Sequence, residues 1–263
     1  MNDKLTPLAI GVALACIFLA MIMDGGGPAA LFKPAPLVLV FGGTISVSVA
    51  GLLKRDVKGL KVIFKQAMGR DVVDLDSSID TVVELAQVAK SKEGLLGLDT
   101  YVKDLDDSFL QLGVQLIVDG VSTMEIRDIL ESEIAAMEER HRKGIKFFTD
   151  MGGFSPTLGI LGTVIGLITV LGHLSNPGAL GPGIASAFTA TLWGVLAANV
   201  FWLPIANKLQ RISGVETQVK TMQTEGLLAI QNGNTSRMVR ARMETFLPAG
   251  ARESTALNGQ EAA

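Results

Sequence analysis

The chain has 263 residues, a formal net charge of −3, a single cysteine and a mean hydropathy of +0.40. One cysteine excludes a disulfide framework and any cysteine-based metal site, and the balanced charge points to no nucleic-acid partner. The hydrophobic residues are bunched into long runs, which is not the pattern of an ordinary soluble domain.

Four runs qualify as membrane spans: residues 5–23, 35–53, 151–172 and 181–205. Each is near the ~20 residues that cross about 30 Å of hydrocarbon. The expected fold class is therefore all-α, a polytopic membrane protein with four transmembrane helices and a helical cytoplasmic insert. A signal peptide is the rival reading of the first run, since Lys4 precedes it. However, no small-x-small cleavage site follows before Asp24-Gly25-Gly26-Gly27. Cys16 after Leu14-Ala15 faintly suggests a lipoprotein box, but the apolar run continues past it.

Of the 23 Lys and Arg residues, all but Lys4 and Lys33 lie in 54–146 or after residue 205. The positive-inside rule then places the insert and the C-terminus in the cytoplasm and both short loops outside. The expected organisation is a first hairpin (1–53), a cytoplasmic helical domain (54–150), a second hairpin (151–206), C-terminal helices (207–248) and a disordered tail (249–263).

The insert opens with Lys54-Arg55-Asp56-Val57-Lys58 as a basic helix start. Asp76-Ser77-Ser78 is expected to cap a helix carrying Ile79, Val82, Val83, Ala86 and Ala89, stopped near Gly94. Asp106-Asp107-Ser108 caps a second, through Phe109, Leu112, Leu116 and Ile117 to Asp119-Gly120. Ser122-Thr123-Met124-Glu125 reads as a capping box. The helix it starts keeps Ile126, Ile129, Leu130, Ile134 and Met137 on one stripe and continues into the third span, with a kink expected at Gly152-Gly153 or Pro156. Beyond the fourth span, helices are expected over 205–230 and 236–246. No segment reads as a strand.

From Met151 to Asn207 there is no Asp, Glu, Lys or Arg. In the third span Gly159, Gly162, Thr163, Gly166, Thr169 and Gly172 recur at helical spacing. In the fourth, Gly183, Ala187, Ala190, Thr191, Gly194, Ala197 and Ala198 do the same. Small faces let membrane helices approach closely. Packing alone accounts for such faces, but Thr163 and Thr191 place hydroxyls inside hydrocarbon, where each needs a partner, a water or a cation. Pro156 and Pro204 each remove a helical hydrogen bond near a span end. Intramembrane acids normally mark ion relays, and only Asp24 and Asp150 at the span edges are available, with His173 at the outer edge. An ion path here therefore needs a carboxylate from another chain.

Two short spans, a cytoplasmic insert, a Gly/Thr-rich hairpin and a cytoplasmic tail resemble the MotA/PomA subunits of the bacterial flagellar stator, within the MotA/TolQ/ExbB superfamily. The motifs that carry the resemblance are Leu116-Ile-Val-Asp-Gly120, Glu139-Arg-His141, the run Ser155 to Leu167, Thr191-Leu-Trp-Gly194 and Glu225 to Gly233. The resemblance implies a homo-oligomer, a pentamer, around two copies of a MotB-type single-span peptidoglycan-binding subunit that supplies an Asp. It implies no cofactor and no enzymatic activity, torque delivered to the rotor protein FliG, and location in the bacterial cytoplasmic (inner) membrane. The family's two functional prolines match Pro156 and Pro204, and its channel-side hydroxyls match Thr163 and Thr191. Where the family has an Arg and, eight residues later, a Glu at the rotor contact, this chain has Ser91 and Asp99. Lys90, Lys92 and Asp99 are then the expected rotor contacts, with Glu93 and Asp104 nearby. Gly153 replaces an acid present in some members, and Ala190 precedes Thr191 in place of a second Thr. Both leave the coupling ion open, leaning to H+ over Na+. An ExbB/TolQ-type proton channel subunit is the nearest rival, though that family has one span before its cytoplasmic region. A non-conducting membrane scaffold is a third reading.

Overall fold

The computed structural model describes residues 5–54, 56–57, 59, 75–91, 94–102, 105–175 and 177–247. Among them every regular element is helical: α1 (Leu5–Met23), α2 (Pro34–Ala50), α3 (Leu75–Ala89), α4 (Leu98–Val102), α5 (Ser108–Val118), α6 (Thr123–Leu171), α7 (Pro177–Leu196), α8 (Leu203–Gln231) and α9 (Ser236–Glu244). Short 3-10 turns cover Pro28–Leu31 and Gly94–Gly97, and a π-helical turn, Ala197–Trp202, joins α7 to α8. Arg55, Lys58, Lys92, Glu93, Asp104, Asn176 and the expected disordered tail lie outside the described residues.

The chain divides into two compact units, Met1–Asp71 with Arg140–Arg211, and Val72–Glu139 with Ile212–Ala263. In the first, α1, α6 and the α7–α8 run are long and apolar enough to cross a membrane. The second expected span is shorter than the sequence suggested, ending at Ala50 in place of residue 53. No residue of α1 is buried, although the helix is apolar on every face. That is the signature of a helix meant for lipid or other membrane helices.

Helix α2 buries Pro36, Val40, Thr44 and Ser48, a strict four-residue stripe. Its middle, Val38–Gly42, is a π-helical turn. Trp193 of α7 lies against Phe32 and Phe41, with ring centroids 5.7 and 5.8 Å away. Its indole N–H donates to the Leu31 carbonyl at 2.8 Å, which satisfies the one polar atom of an otherwise buried ring. Near the other end of these helices Phe147, Phe148 and Met151 pack on Ile205, Ala206 and Leu209.

The second unit is an ordinary hydrophobic core. Ile79, Val82, Leu98, Ile117, Ile126, Leu130, Met222, Leu227, Leu228 and Met243 are essentially inaccessible within it. Local signals set its helix starts. Asp107 caps α5 by accepting from Phe109 N–H at 2.9 Å, and Thr235 caps α9 by accepting from Met238 N–H. The Ser122 hydroxyl accepts from Glu125 N–H at 3.3 Å, the serine half of a capping box.

One expected cap is corrected. Helix α3 is already formed at Leu75, so Asp76 sits in its first turn, and Ser78 is a buried helical residue. Its hydroxyl accepts from Gln223, whose amide also donates to Asp107. A tertiary partner has taken the serine that local sequence assigned to a cap. The expected continuity of the insert into the third span is observed: α6 runs 49 residues, unbroken through Gly152-Gly153 and with Pro156 inside it. The fourth span likewise begins earlier than expected, with Pro177 at the first helical position, where its missing N–H costs nothing.

In this unit Arg127 donates to Glu225 at 2.8 Å and lies 3.6 Å from Glu131. The Glu225 hydrogen bond raises the guanidinium pKa above its already high ordinary value, against a smaller opposing effect of burial. A raised folded-state pKa gives stabilisation that is complete below the unfolded value and fades only in strong alkali. The pair is therefore insensitive to pH near neutrality. Because Arg127 is 43% exposed, solvent screening limits the coupling to about 0.5–1 kcal/mol. A double-mutant cycle with Arg127→Ala and Glu225→Gln, read by denaturant unfolding, is expected to give a coupling in that range that shrinks in high salt.

Candidate functional site: the uncharged hairpin

Helices α6 and α7 meet along the small faces expected from sequence. A methyl at Gly159 would stand 2.9 Å from the Ala190 carbonyl oxygen and 3.1 Å from the Gly194 Cα. One at Gly194 would stand 2.6 Å from the Ser155 carbonyl oxygen. These are backbone-to-backbone approaches, available only to residues without a side chain.

This closeness puts the two expected hydroxyls in contact. Thr163 and Thr191 are hydrogen-bonded to each other, and both are half-buried. Thr163 also reaches the Ala187 carbonyl at 3.0 Å and that of Gly159 at 3.2 Å; Thr191 reaches the Gly159 carbonyl at 3.4 Å. Each hydroxyl has one hydrogen to donate and two lone pairs. Once the pair has used one mutual bond and one carbonyl, it still offers oxygen lone pairs to a water or a cation. The surrounding surface is apolar: Ile160, Leu161, Val164, Ile168, Phe188 and Leu192 are exposed.

The other expected residues fall as follows. Pro156 lies within α6, one residue after the fully buried Ser155. Pro204 lies in the first turn of α8, directly after the π-helical turn Ala197–Trp202. Asp150 is paired with Lys146, whose ammonium is 3.0 Å from both carboxylate oxygens. The His173 ring is 2.8 Å from the Thr169 carbonyl. Lys90 and Asp99 are both exposed. The Lys90 ammonium donates to the Gly233 carbonyl at 2.5 Å, just past the end of α8, so this lysine also tethers α3 to that turn. Lys92, the third expected rotor contact, lies outside the described residues.

Sequence reading missed a second polar group in the hairpin unit. The Thr44 and Ser155 hydroxyls are 3.1 Å apart, both with no solvent exposure. The Trp202 indole N–H donates to the same Ser155 oxygen at 2.9 Å. Thr44, Ser155 and Trp202 come from three different helical segments, so no spacing rule joins them. The one available hint was Thr44 and Ser48 on the buried stripe of α2.

Apolar spans, glycine-sealed helix contact and a paired hydroxyl site without a charge define a polytopic channel-type membrane subunit. Residues 102–223 match the family model of the MotA/TolQ/ExbB proton channel family. The motility protein A of Bacillus subtilis (strain 168) is 36% identical over 259 residues, which is 98% of this chain and 96% of that protein. The flagellar MotAB stator complex from Bacillus subtilis superposes with a TM-score of 0.89 at 36% identity, over 95% of this chain and 99% of that one. C. jejuni MotAB also gives 0.89, at 28% identity, over 94% and 96%. The chain belongs to the motility protein A family and is a flagellar stator subunit.

Proposed function

We propose that this chain forms the ring of an ion-driven stator in the bacterial cytoplasmic membrane, with its insert and C-terminus cytoplasmic. Its partner is a MotB-type single-span subunit anchored to peptidoglycan, and five copies of this chain surround two of the partner. The observation that carries the reading is the Thr163–Thr191 hydroxyl pair inside a hairpin with no charged residue. Such a wall solvates a passing ion but has no carboxylate to bind and release a proton, so the titrating Asp comes from the partner. The MotAB complexes that superpose on the chain support a partner of this kind. Ion binding at that Asp steps the ring, Pro156 and Pro204 transmit the step, and Lys90, Lys92 and Asp99 push on FliG.

The coupling ion is the proton. Gly153 in place of an acid and Ala190 in place of a second Thr before Thr191 support the proton over sodium. Cells that depend on this stator are expected to swim at undiminished speed when sodium is replaced by potassium, and arrest in sodium-free medium would exclude proton coupling. Changing the partner's Asp to Asn is expected to stop rotation while the complex still assembles. Normal swimming by that variant would remove the basis of the reading.

A further inference from the structure

We infer that Thr44, Ser155 and Trp202 form a latch that makes the two proline-bearing turns move together, and that these three are positioning residues for the coupling step. The inference rests on the stator reading above and deepens it.

The geometry begins at Ser155. Its oxygen accepts from the Trp202 indole, which is a donor only, so the direction of that bond is fixed. One further hydrogen bond, with either hydroxyl as donor, joins it to Thr44, so each polar side-chain atom of the trio has a partner. A broken bond is costly here, because no water in the hydrocarbon replaces it, and the trio is paired where the buried Ser48 hydroxyl, one turn along the same stripe of α2, has no partner. Leucine and phenylalanine would fill the same space without that demand, so mere filling does not explain three polar groups converging from three helices.

The backbone supplies a second, independent observation. Two of the three contributing segments carry a π-helical turn at this place, and the third, α6, is continuous and carries a proline. Thr44 follows the π-helical turn Val38–Gly42 by two residues. Trp202 ends the π-helical turn Ala197–Trp202 and precedes Pro204 by two. Ser155 directly precedes Pro156, which is within α6. Pro156 brings no N–H to the Gly152 carbonyl, and Pro204 likewise has no N–H to donate into the π-helical turn before it. π-helical turns and prolines are where helices bend or reorganise. The Trp202–Ser155 bond spans the two proline-bearing turns, so neither turn changes without straining the other. The Thr44 bond ties both to α2.

The test uses the full chain expressed with its partner subunit. Trp202→Phe keeps an aromatic ring, though a smaller one, and drops the N–H, Thr44→Val removes a hydroxyl at nearly constant shape, and Thr44→Ser retains it. Complex in the membrane, ion flux into vesicles and swimming speed are measured together. With Trp202→Phe and Thr44→Val, the complex is expected at parental amount with ion flux retained, while swimming speed falls roughly fivefold, the equilibrium weight of one net hydrogen bond. Thr44→Ser is expected to restore speed. Parental speed in both Trp202→Phe and Thr44→Val overturns the latch, as does a loss of speed that only follows loss of complex from the membrane. A parental complex that carries no ions overturns the stator reading itself, and the latch with it.

Discussion

Gly194→Ala is expected to destabilise the hairpin and abolish swimming, although alanine is the better helix former. The propensity gain is about 0.5–1 kcal/mol. Against it, the new methyl meets the Ser155 carbonyl oxygen at 2.6 Å and the Gly159 Cα at 2.9 Å. Those are backbone atoms of the facing helix and cannot rotate away, so α6 and α7 must separate. Overpacking of this kind costs about 1–3 kcal/mol, and separation also pulls apart the Thr163–Thr191 pair. Gly153→Ala is the matched control, since nothing lies within 4 Å of a methyl placed there. Thermal unfolding of the purified complex is expected to show a lower Tm for Gly194→Ala and an unchanged or higher one for Gly153→Ala. Equal behaviour of the two would mean that the close approach is not what holds the hairpin.

The second large effect concerns the hydroxyl pair. Thr163→Val and Thr191→Val each keep the side-chain shape and remove one of two mutually bonded oxygens. The surviving hydroxyl still finds a carbonyl, Ala187 for Thr163 or Gly159 for Thr191. Folding should therefore suffer little, while the oxygen site that faces an ion is halved. Losing one such ligand at about 1–3 kcal/mol corresponds to roughly fivefold to over a hundredfold in rate. Swimming speed and ion flux are expected to fall together to that extent for either valine variant. Thr191→Ser is expected to retain most activity. The double valine variant is expected to be no worse than the singles, as for two residues that act as one site. Parental flux in both single variants would remove the threonines from the ion path.

Much of this protein was legible without coordinates. The spans, the small faces and the charge-free interval from Met151 to Asn207 are properties of composition and helical period, and these act within one helix. The capping residues Asp107 and Ser122 were readable for the same reason, since a cap bonds to an amide two or three positions away. Reading failed where a distant partner competed. Ser78 looked like part of a cap and is instead held by Gln223, 145 residues on. The early end of α2 at Ala50 was overlooked because the span was bounded by hydropathy, although Gly51 directly after it is a local stop signal.

The sequence by itself determined that this chain lives in a membrane and that its second hairpin is uncharged, so that the hairpin itself offers no proton-binding acid. Helical period placed Thr163 and Thr191 on the small faces of their helices. Only the tertiary structure decided that the two faces meet closely enough for the hydroxyls to bond, because helix separation depends on every residue in the contact. It alone assembled Thr44, Ser155 and Trp202, since local turns of π geometry reset the facing of α2 and the α7–α8 run by amounts that no period predicts. Periodic signals survive in one dimension; the crossing of helices has to be seen.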